Sequence, residues 1–155
     1  MTTGEKIFYK KKLLEHCLEI IDKRIQQLRL AMDSAQAAAN AEEKGSAGDK
    51  YETSRAMNHI QKDLYGRQLG ANQLEIEQLM NINCSTLYTS VSVGSIVECT
   101  GADFFIAAGL GKIKWADKEI YLVSPAAPLA KLLMGKQVGD AATFNNKNLL
   151  IKKIY

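Results

Sequence analysis

The first part of the chain has the hydrophobic spacing of a long helix. It contains no proline, and after Gly4 no glycine appears before residue 45. From residue 14 to residue 39, apolar residues recur at alternating steps of four and three, which is the heptad repeat of a coiled-coil seam. Alanine alone forms the end of this seam, so a partner helix could approach closely there. The seam consists of Leu14, Leu18, Ile21, Ile25, Leu28, Met32, Ala35 and Ala39.

A second seam follows a short glycine-containing stretch and predicts a second helix. We expect the two seams to face each other, so that residues 1–80 form an antiparallel helical hairpin with its tip near residues 42–52. A helix of about 35 residues is about 50 Å long, so this would be an arm. The alternative is that both seams are ordinary core, but so narrow an apolar stripe favours a two-stranded arm. The second seam consists of Met57, Ile60, Leu64, Arg67, Ala71 and Leu74.

Residues 81–155 show short β-rich runs separated by glycine. One helical segment, "PLAKLLMGK", interrupts them; the two prolines lie at its start, and Gly135 is expected to end it. This pattern predicts a small α+β domain in which one helix packs on an antiparallel sheet, with the domain boundary near residues 81–85. The predicted strands lie in "TLYTSVSV", "SIVECT", "FFIAAG", "KIKWA", "EIYLVS" and "NLLIKKIY".

Composition is that of a folded protein, with 46% hydrophobic and 24% charged residues among 155. The net charge of +3 is too small to indicate nucleic-acid binding. Cys17, Cys84 and Cys99 are too widely spaced for a zinc or disulfide pattern, so buried thiols in a reducing compartment are expected. No apolar run reaches the about 18 residues of a membrane span, and the N-terminus lacks a signal-peptide pattern. A cytoplasmic protein is therefore expected.

The usual constellations of an enzyme are missing from the sequence. His16 and His59 have no partner at metal-ligand spacing and are expected on helix surfaces. The run "GLGK", residues 109–112, precedes a predicted strand and not a helix, so it indicates a hairpin turn and not a phosphate-binding loop. The aromatic residues of the predicted strands are expected to be core and not a base-stacking platform. They are Phe104, Phe105, Trp115 and Tyr121.

The tip segment "EEKGSAGDKYETSR", residues 42–55, allows two interpretations. Asp49 and Glu52 form the Asp-x-x-Glu pattern of a capping box, in which they would stabilise the start of the second helix. Alternatively, the two carboxylates lie on one helix face and are presented to a metal ion. Two carboxylates cannot complete a Mg²⁺ site, so a partner would have to supply further ligands. The two interpretations are compatible.

Two segments resemble the bacterial Gre transcript-cleavage factors, GreA and GreB. The run "GDKYET" is similar to the family's tip sequence "GDLKEN", and "SPAAPLAKLLMGKQVGD", residues 124–140, is similar to its C-terminal signature "SPIARALIGKEEGD". The order of the predicted domains also agrees, so the resemblance covers nearly the whole chain. In the second segment the matching positions are Pro128, Leu129, Ala130, Lys131, Leu133, Gly135, Lys136, Gly139 and Asp140.

The resemblance implies a transcription elongation factor that is not an enzyme by itself. It implies an FKBP-like C-terminal domain docked at the RNA polymerase secondary channel, with the hairpin inserted into the channel. Asp49 and Glu52 would then hold a Mg²⁺ ion jointly with polymerase and stimulate cleavage of backtracked RNA. A monomer is expected, with at most indirect contact with nascent RNA. The residues expected to contact polymerase are Ser124, Pro125, Pro128, Lys131 and Lys136.

Departures from the family pattern leave alternatives open. Where the family has "ENAEY", this chain has "ETSRA", so that Arg55 replaces an acid and Ala56 an aromatic residue. Arg55 could oppose metal recruitment or pair with a carboxylate. One alternative is therefore a secondary-channel regulator or inhibitor without cleavage activity. Another is a coiled-coil adaptor with a peptide-binding domain, whereas a prolyl isomerase has little support in the sequence. The helix near Lys131 could dock on polymerase or pack on its own sheet.

Overall fold

The computed structural model describes the backbone of residues 1–45 and 49–155, and the side chains of residues 1–41 and 52–155. Within these residues the chain folds as two long helices followed by a sheet with one short helix, which confirms the predicted α+β class. The helices are α1 (Thr3–Gly45), α2 (Asp49–Met80) and α3 (Pro128–Leu133). The strands are β1 (Ile96–Cys99), β2 (Ala102–Ile106), β3 (Gly111–Trp115), β4 (Lys118–Val123), β5 (Ala141–Phe144) and β6 (Lys147–Ile154).

The described chain divides into two compact units, and both helices of the hairpin contribute to each. A sheet unit comprises Met1–Leu18 and Glu77–Tyr155, and an arm unit comprises Glu19–Ile76. The predicted boundary after residue 80 therefore falls at a different place from the division between these units. The physical reason is that the first turns of α1 and the last turn of α2 carry apolar side chains that are fully buried, such as Leu13 and Leu79.

The sheet has six strands in the order β3-β4-β2-β1-β6-β5. Its neighbouring strands are antiparallel except for β2 and β4, which are parallel, so the predicted all-antiparallel sheet is wrong for this pair. The chain leaves β2, bypasses the position of β4 and enters β3 at the edge. Gly109 and Leu110 of the "GLGK" run lie in this connection between strands that are not neighbours, and the predicted hairpin turn there is wrong. The predicted strand is confirmed, because β3 begins at Gly111, within the run.

Two further details of the predicted sheet are wrong. The segment "TLYTSVSV" forms only an isolated bridge between Ser90 and Gln137. The Val91 N–H donates to the Lys136 carbonyl at 2.8 Å and the Val91 carbonyl accepts from the Gly135 N–H at 2.9 Å, so this segment pairs with the loop after α3. The strand β5 was missed, because its run "AATF" is only four residues long and begins with two alanines, which are depleted in strands.

One face of the sheet packs against α3. The helix contributes Ala130 and Leu133, both fully buried. It ends as predicted, because Gly135 adopts a left-handed φ of +79°, which glycine tolerates without strain. This confirms the predicted glycine stop. The core on this face comprises Val91, Val97, Cys99, Phe104, Ile106, Ala130, Leu133, Ala142, Leu149 and Ile151.

The opposite face of the sheet is covered by the start of α1. Phe105 follows Phe104 in β2, so it points to this second face, and it is fully buried. Strand register places Trp115 and Tyr155 on the same face as Phe105. Two ring contacts join this face to α1: His16 stacks on Trp115 with ring centroids 4.9 Å apart, and Tyr9 lies 6.5 Å from Tyr155. The prediction of His16 as a helix-surface residue is therefore wrong, because its ring packs against the sheet.

Lys10 connects α1 to the segment before the sheet. Its side chain is fully buried, and its Nζ donates a hydrogen bond of 2.8 Å to the Thr86 carbonyl. The ammonium also lies 4.7 Å from the centre of the Tyr88 ring. Burial of the charge lowers the Lys10 pKa from its ordinary 10.5 to about 8. The Thr86 carbonyl and the face of the Tyr88 ring thus stabilise the buried ammonium.

All three cysteines are buried free thiols, as predicted. Burial raises the pKa of Cys17 to about 12 and that of Cys99 to about 11. The pKa of Cys84 is raised for the same reason, against an opposing effect of the Lys10 and Lys11 charges. A thiol is a much weaker nucleophile than a thiolate, so these shifts favour structural roles for the cysteines.

In the arm unit, α1 presents the predicted seam. Ile21 and Ile25 are buried, and the later seam residues up to Ala39 are half-buried. Residues of α1 and α2 line one common cleft, with Ala35 and Ala39 of α1 accompanied by Ser54 and Arg55 of α2. The seam of the first helix is therefore confirmed.

The predicted seam of α2 is wrong, because those six residues are exposed. Met57 is 61% exposed, Ile60 63% and Leu64 52%. The less exposed residues of α2 lie on a different face of the helix. Three of them, Ser54, Asn58 and Tyr65, line the common cleft. A heptad stripe indicates that a helix has an apolar face but does not identify what covers that face. The half-buried α2 residues of this unit are Ser54, Asn58, Tyr65, Leu69, Asn72, Glu75 and Ile76.

Replacement of Gly94 should destabilise the sheet unit strongly. Gly94 has φ of +90°, and an added Cβ would lie 2.9 Å from Cγ2 of Ile82. We expect Gly94→Ala to lower the free energy of unfolding by about 2 to 4 kcal/mol, from backbone strain together with overpacking. Urea denaturation followed by circular dichroism measures this change.

The matched control for Gly94 is Gly101→Ala. Gly101 has a similar φ of +81°, but nothing lies within 4 Å of an added Cβ. Its replacement should therefore cost about 1 kcal/mol, from the backbone conformation alone. Equal losses of stability in the two variants would contradict the close approach of Ile82 to Gly94.

The buried ammonium of Lys10 predicts a specific pH dependence of stability. Because its folded-state pKa is lowered, the unfolded chain binds more protons between about pH 8 and 10.5, and the Lys10 contribution to stability rises with pH in that range. We therefore expect the free energy of unfolding of the wild type, minus that of Lys10→Met, to increase by about 2 kcal/mol between about pH 7.5 and about pH 10. Because the Lys10 and Lys11 charges also oppose the rise in the Cys84 pKa, all proteins in this comparison carry Cys84→Ala, which removes that thiol.

The control for Lys10 is Lys11→Met, which removes the same formal charge at an exposed position. Urea midpoints at several pH values give the free energies for all three proteins. If the two methionine variants show the same pH dependence relative to wild type, the buried ammonium is not its source.

Candidate functional site

The two candidate carboxylates lie at the start of α2, close in sequence to the end of α1. Because α1 ends at Gly45 and α2 begins at Asp49, only three residues connect the two helices. Asp49 and Glu52 are therefore placed in the first turn of α2, at the end of the hairpin. The Glu52 side chain is exposed. The side chain of Asp49 lies outside the described residues, as do those of Glu42 and Glu43, and both interpretations of the pair stay open.

The backbone places the pair on one face of the first turn of α2. Residues three apart in a helix are neighbours on one face. The first turn of a helix carries partial positive charge from unsatisfied N–H groups, which stabilises a carboxylate there. Carboxylate oxygens are the hard ligands that Mg²⁺ prefers, and this ion is usually held by one or two carboxylates together with water and substrate oxygens. The donor chemistry of Asp49 and Glu52 therefore fits a shared Mg²⁺ site.

A basic cleft lies between α1 and α2 in the arm unit, close in sequence to the pair. Its volume is about 410 Å³. Arg55, His59 and Lys62 of α2 line it, and Asp33 of α1 supplies an acidic side chain. The basic residues recur at steps of four and three, so they lie on one face of α2. Sequence reasoning treated Arg55 and His59 separately and missed this face, although the spacing was the signal that could have revealed it.

The candidate docking residues lie at both ends of α3 and in its exposed face. Pro128 is the first residue of the helix and is exposed, as is Lys131. Because Ala130 and Leu133 are fully buried, α3 packs on its own sheet. This packing leaves the side of α3 that carries Lys131 exposed. That side is therefore accessible to a partner even though the helix packs on its own sheet.

The flanks of α3 are held by backbone hydrogen bonds. The Ser124 carbonyl accepts from the Ala127 N–H at 3.0 Å, and the Ser124 hydroxyl oxygen accepts from the Ala126 N–H at 3.2 Å. These bonds form the turn that contains Pro125. After the helix, the Lys136 N–H donates to the Leu133 carbonyl at 3.0 Å. Ser124, Pro125 and Lys136 thus have fixed backbone positions on either side of Lys131.

Comparisons of the chain with protein-family models and with curated proteins found no match. The family resemblance therefore rests on the tip motif, the C-terminal motif and the order of the two regions. None of the described helices has a stretch long and apolar enough to cross a membrane.

Proposed function

We propose that this protein is a transcription elongation factor that binds in the RNA polymerase secondary channel and stimulates cleavage of backtracked RNA. The observation that carries the proposal is the position of Asp49 and Glu52 in the first turn of α2, where two long helices are joined by three residues. Such an arm can enter a passage that excludes a whole domain. A cytoplasmic location goes with this proposal.

In the proposed mechanism the protein supplies ligands, and polymerase supplies the rest of the site. Asp49 and Glu52 would bind a Mg²⁺ ion through carboxylate oxygens, together with groups of polymerase and the RNA. When bound, such an ion lowers the pKa of a coordinated water and stabilises the leaving oxygen of an in-line displacement. The protein is not an enzyme alone, because two carboxylates leave most of the coordination sphere of Mg²⁺ to other molecules.

The basic cleft supports a role close to RNA. Arg55, His59 and Lys62 lie on α2 within about 20 Å of Asp49 along the helix axis. Lysine and arginine neutralise phosphates, and this contribution to binding does not depend on the base sequence. A backtracked RNA end approaching the tip would therefore meet cationic side chains on this face. The exposed side of α3, with Pro128 and Lys131, is proposed as the surface that docks on polymerase.

A channel-binding regulator without cleavage activity is the second candidate function. It is favoured by Arg55, which is exposed about one turn after Glu52 and stands where the similar family has an acid. A guanidinium at this distance competes with a metal ion for the same carboxylate. A coiled-coil adaptor, the candidate from another class, requires stable partners other than polymerase.

A conservative double variant separates the capping role of the pair from its metal-binding role. Asparagine caps a helix about as well as aspartate, and glutamine can replace glutamate in a capping box. We expect Asp49→Asn/Glu52→Gln to keep the thermal stability of the wild type but to lower the rate of RNA cleavage in backtracked elongation complexes at least about tenfold, since neutral amides bind Mg²⁺ poorly. Transcript lengths on denaturing gels give the rate.

The control is Asp49→Ala/Glu52→Ala, which should lose both stability, by about 1 kcal/mol, and cleavage. Binding of each variant to polymerase is measured separately by competition with labelled wild type. If the wild type binds but the transcripts are not shortened, the cleavage proposal is wrong and channel occupancy becomes the function. If the protein does not bind polymerase, both transcription proposals are wrong.

The basic cleft makes its own prediction. Replacement of Arg55 and Lys62 by glutamine should weaken binding to backtracked complexes more than binding to complexes without extruded RNA. The salt dependence of binding to the backtracked complex should become shallower by about 1.4 in the log–log slope, from the loss of two contacts to single-stranded phosphates. The matched control is Lys23→Gln/Arg24→Gln, at exposed residues of α1. Equal effects of both double variants would exclude a specific role for the cleft.

A further inference from the structure

The exposed residues of α2 form a continuous outward stripe. The stripe consists of Met57, Ile60, Leu64, Arg67, Ala71 and Leu74. Its four large apolar side chains are between 52% and 63% exposed. The six positions of the stripe alternate at steps of three and four, so they form one line along the helix. Soluble proteins rarely leave a long apolar line in water, and such a line marks an interaction surface.

The heptad register of the outward stripe indicates another helix as the occupant. Met57, Leu64 and Ala71 occupy the a positions of a heptad, and Ile60, Arg67 and Leu74 occupy the d positions. A strict two-in-seven pattern is the narrow seam of a coiled coil, whereas a helix that packs on a sheet or globular core has a wider apolar face. The inward face of α2 has a different composition, with Ser54, Asn58 and Asn72 among its half-buried residues.

We propose that the outward stripe binds the same stripe of a second copy of this chain in antiparallel orientation. In antiparallel coiled coils an a position of one helix packs against a d position of the other. With the two-fold axis between residues 65 and 66, Met57 meets the second copy's Leu74 and Ile60 meets the second copy's Ala71. Every a and d position of the stripe then has a partner, and each large side chain at the ends packs on another apolar one.

Charge complementarity selects the antiparallel orientation. At the centre, the stem of Arg67 packs on the second copy's Leu64, and its guanidinium reaches the second copy's Asp63, which flanks the seam. A parallel pair in register would instead place Arg67 against Arg67, since identical d positions meet in that orientation. Like charges in a partly desolvated seam cost free energy, while opposite charges fix the register.

The positions beside the stripe also suit close approach of a second helix. Gly70 flanks the seam, and nothing lies within 4 Å of an added Cβ there. Glycine at such a position lets two backbones come close together. Gln61 and Gln68 occupy the flanking positions on the other side of the seam, where they can form hydrogen bonds without like-charge repulsion. No charge of equal sign opposes the antiparallel pairing at these flanks.

The size of the stripe determines how strongly the two copies are expected to associate. It covers 18 residues, which is about 26 Å of helix. A stable interface of standard size buries about 800 Å² on each partner, more than one face of so short a helix provides. The association should therefore be reversible and depend on concentration, and the expected monomer applies to dilute protein. If the arm functions inside the polymerase channel, the dimer is a storage form that is too wide to enter the channel. This role as a storage form rests on the proposed function, whereas the dimer itself does not.

Sedimentation velocity on the full chain tests the proposal. We expect the wild type to shift from monomer toward dimer between about 1 µM and about 500 µM, because micromolar dissociation constants correspond to small interfaces. Leu64→Glu should raise the dissociation constant at least tenfold. The matched control, Leu30→Glu, changes a leucine on α1 that is 67% exposed and outside the stripe, and it should leave the constant unchanged.

Charge variants test the orientation. Asp63→Arg and Arg67→Asp should each weaken the dimer, and the combination of both changes should restore it. In addition, a mixture of Met57→Cys and Leu74→Cys chains should form an intermolecular disulfide under mild oxidation. The Leu64→Cys chain alone should form little disulfide-linked dimer. Circular dichroism checks that each variant keeps its helix content. A wild type that stays monomeric over the whole concentration range, or a Leu64→Glu variant that dimerises normally, would overturn the proposal.

Discussion

The need to cover both faces of one sheet determines how the sheet unit is built. Phe104 and Phe105 follow each other in β2, so they point to opposite faces, and both are buried. The short helix α3 covers one face. The other face has to be covered by a second element, and the beginning of α1 does this through the Tyr9–Tyr155 and His16–Trp115 contacts. Burial of apolar surface stabilises the fold by about 25 cal/mol for each Å² removed from water. Burial of the second face of the sheet therefore requires α1, a helix that also belongs to the arm unit.

The role of Lys10 follows from the same requirement. A helix that covers a sheet has little room for an ammonium group, and its burial is tolerated only because a carbonyl and an aromatic ring receive the charge. The lowered pKa of Lys10 is the cost of that position. The hydrogen bond from the Lys10 ammonium to the Thr86 carbonyl attaches the segment before β1 to α1 within the sheet unit. The pKa of this lysine and the position of the segment are therefore linked.

The arm unit shows how one helix can carry two different faces. The inward face of α2 mixes polar and apolar residues such as Asn58 and Leu69, and the outward stripe carries Ile60 and Leu64. The stripe is more apolar than the face that lies toward the hairpin partner. At the tip the same helix presents Glu52, with its basic face following along the cleft. The inward face, the outward stripe and the basic face thus share α2, and their spacing around the helix keeps them separate.

The sequence by itself determined the helices, most of the strands and the place of the candidate carboxylates. Heptad spacing predicted the hairpin and the seam of α1, glycine chemistry predicted the stop at Gly135, and a short link between helices placed Asp49 and Glu52 at a turn. These features depend on local geometry, which a few neighbouring residues fix. Tertiary structure alone decided which stripe of α2 faces inward, that β2 and β4 run parallel, and that His16 packs on Trp115. Each of these depends on contacts between residues distant in the chain, and periodicity contains no information about the partner.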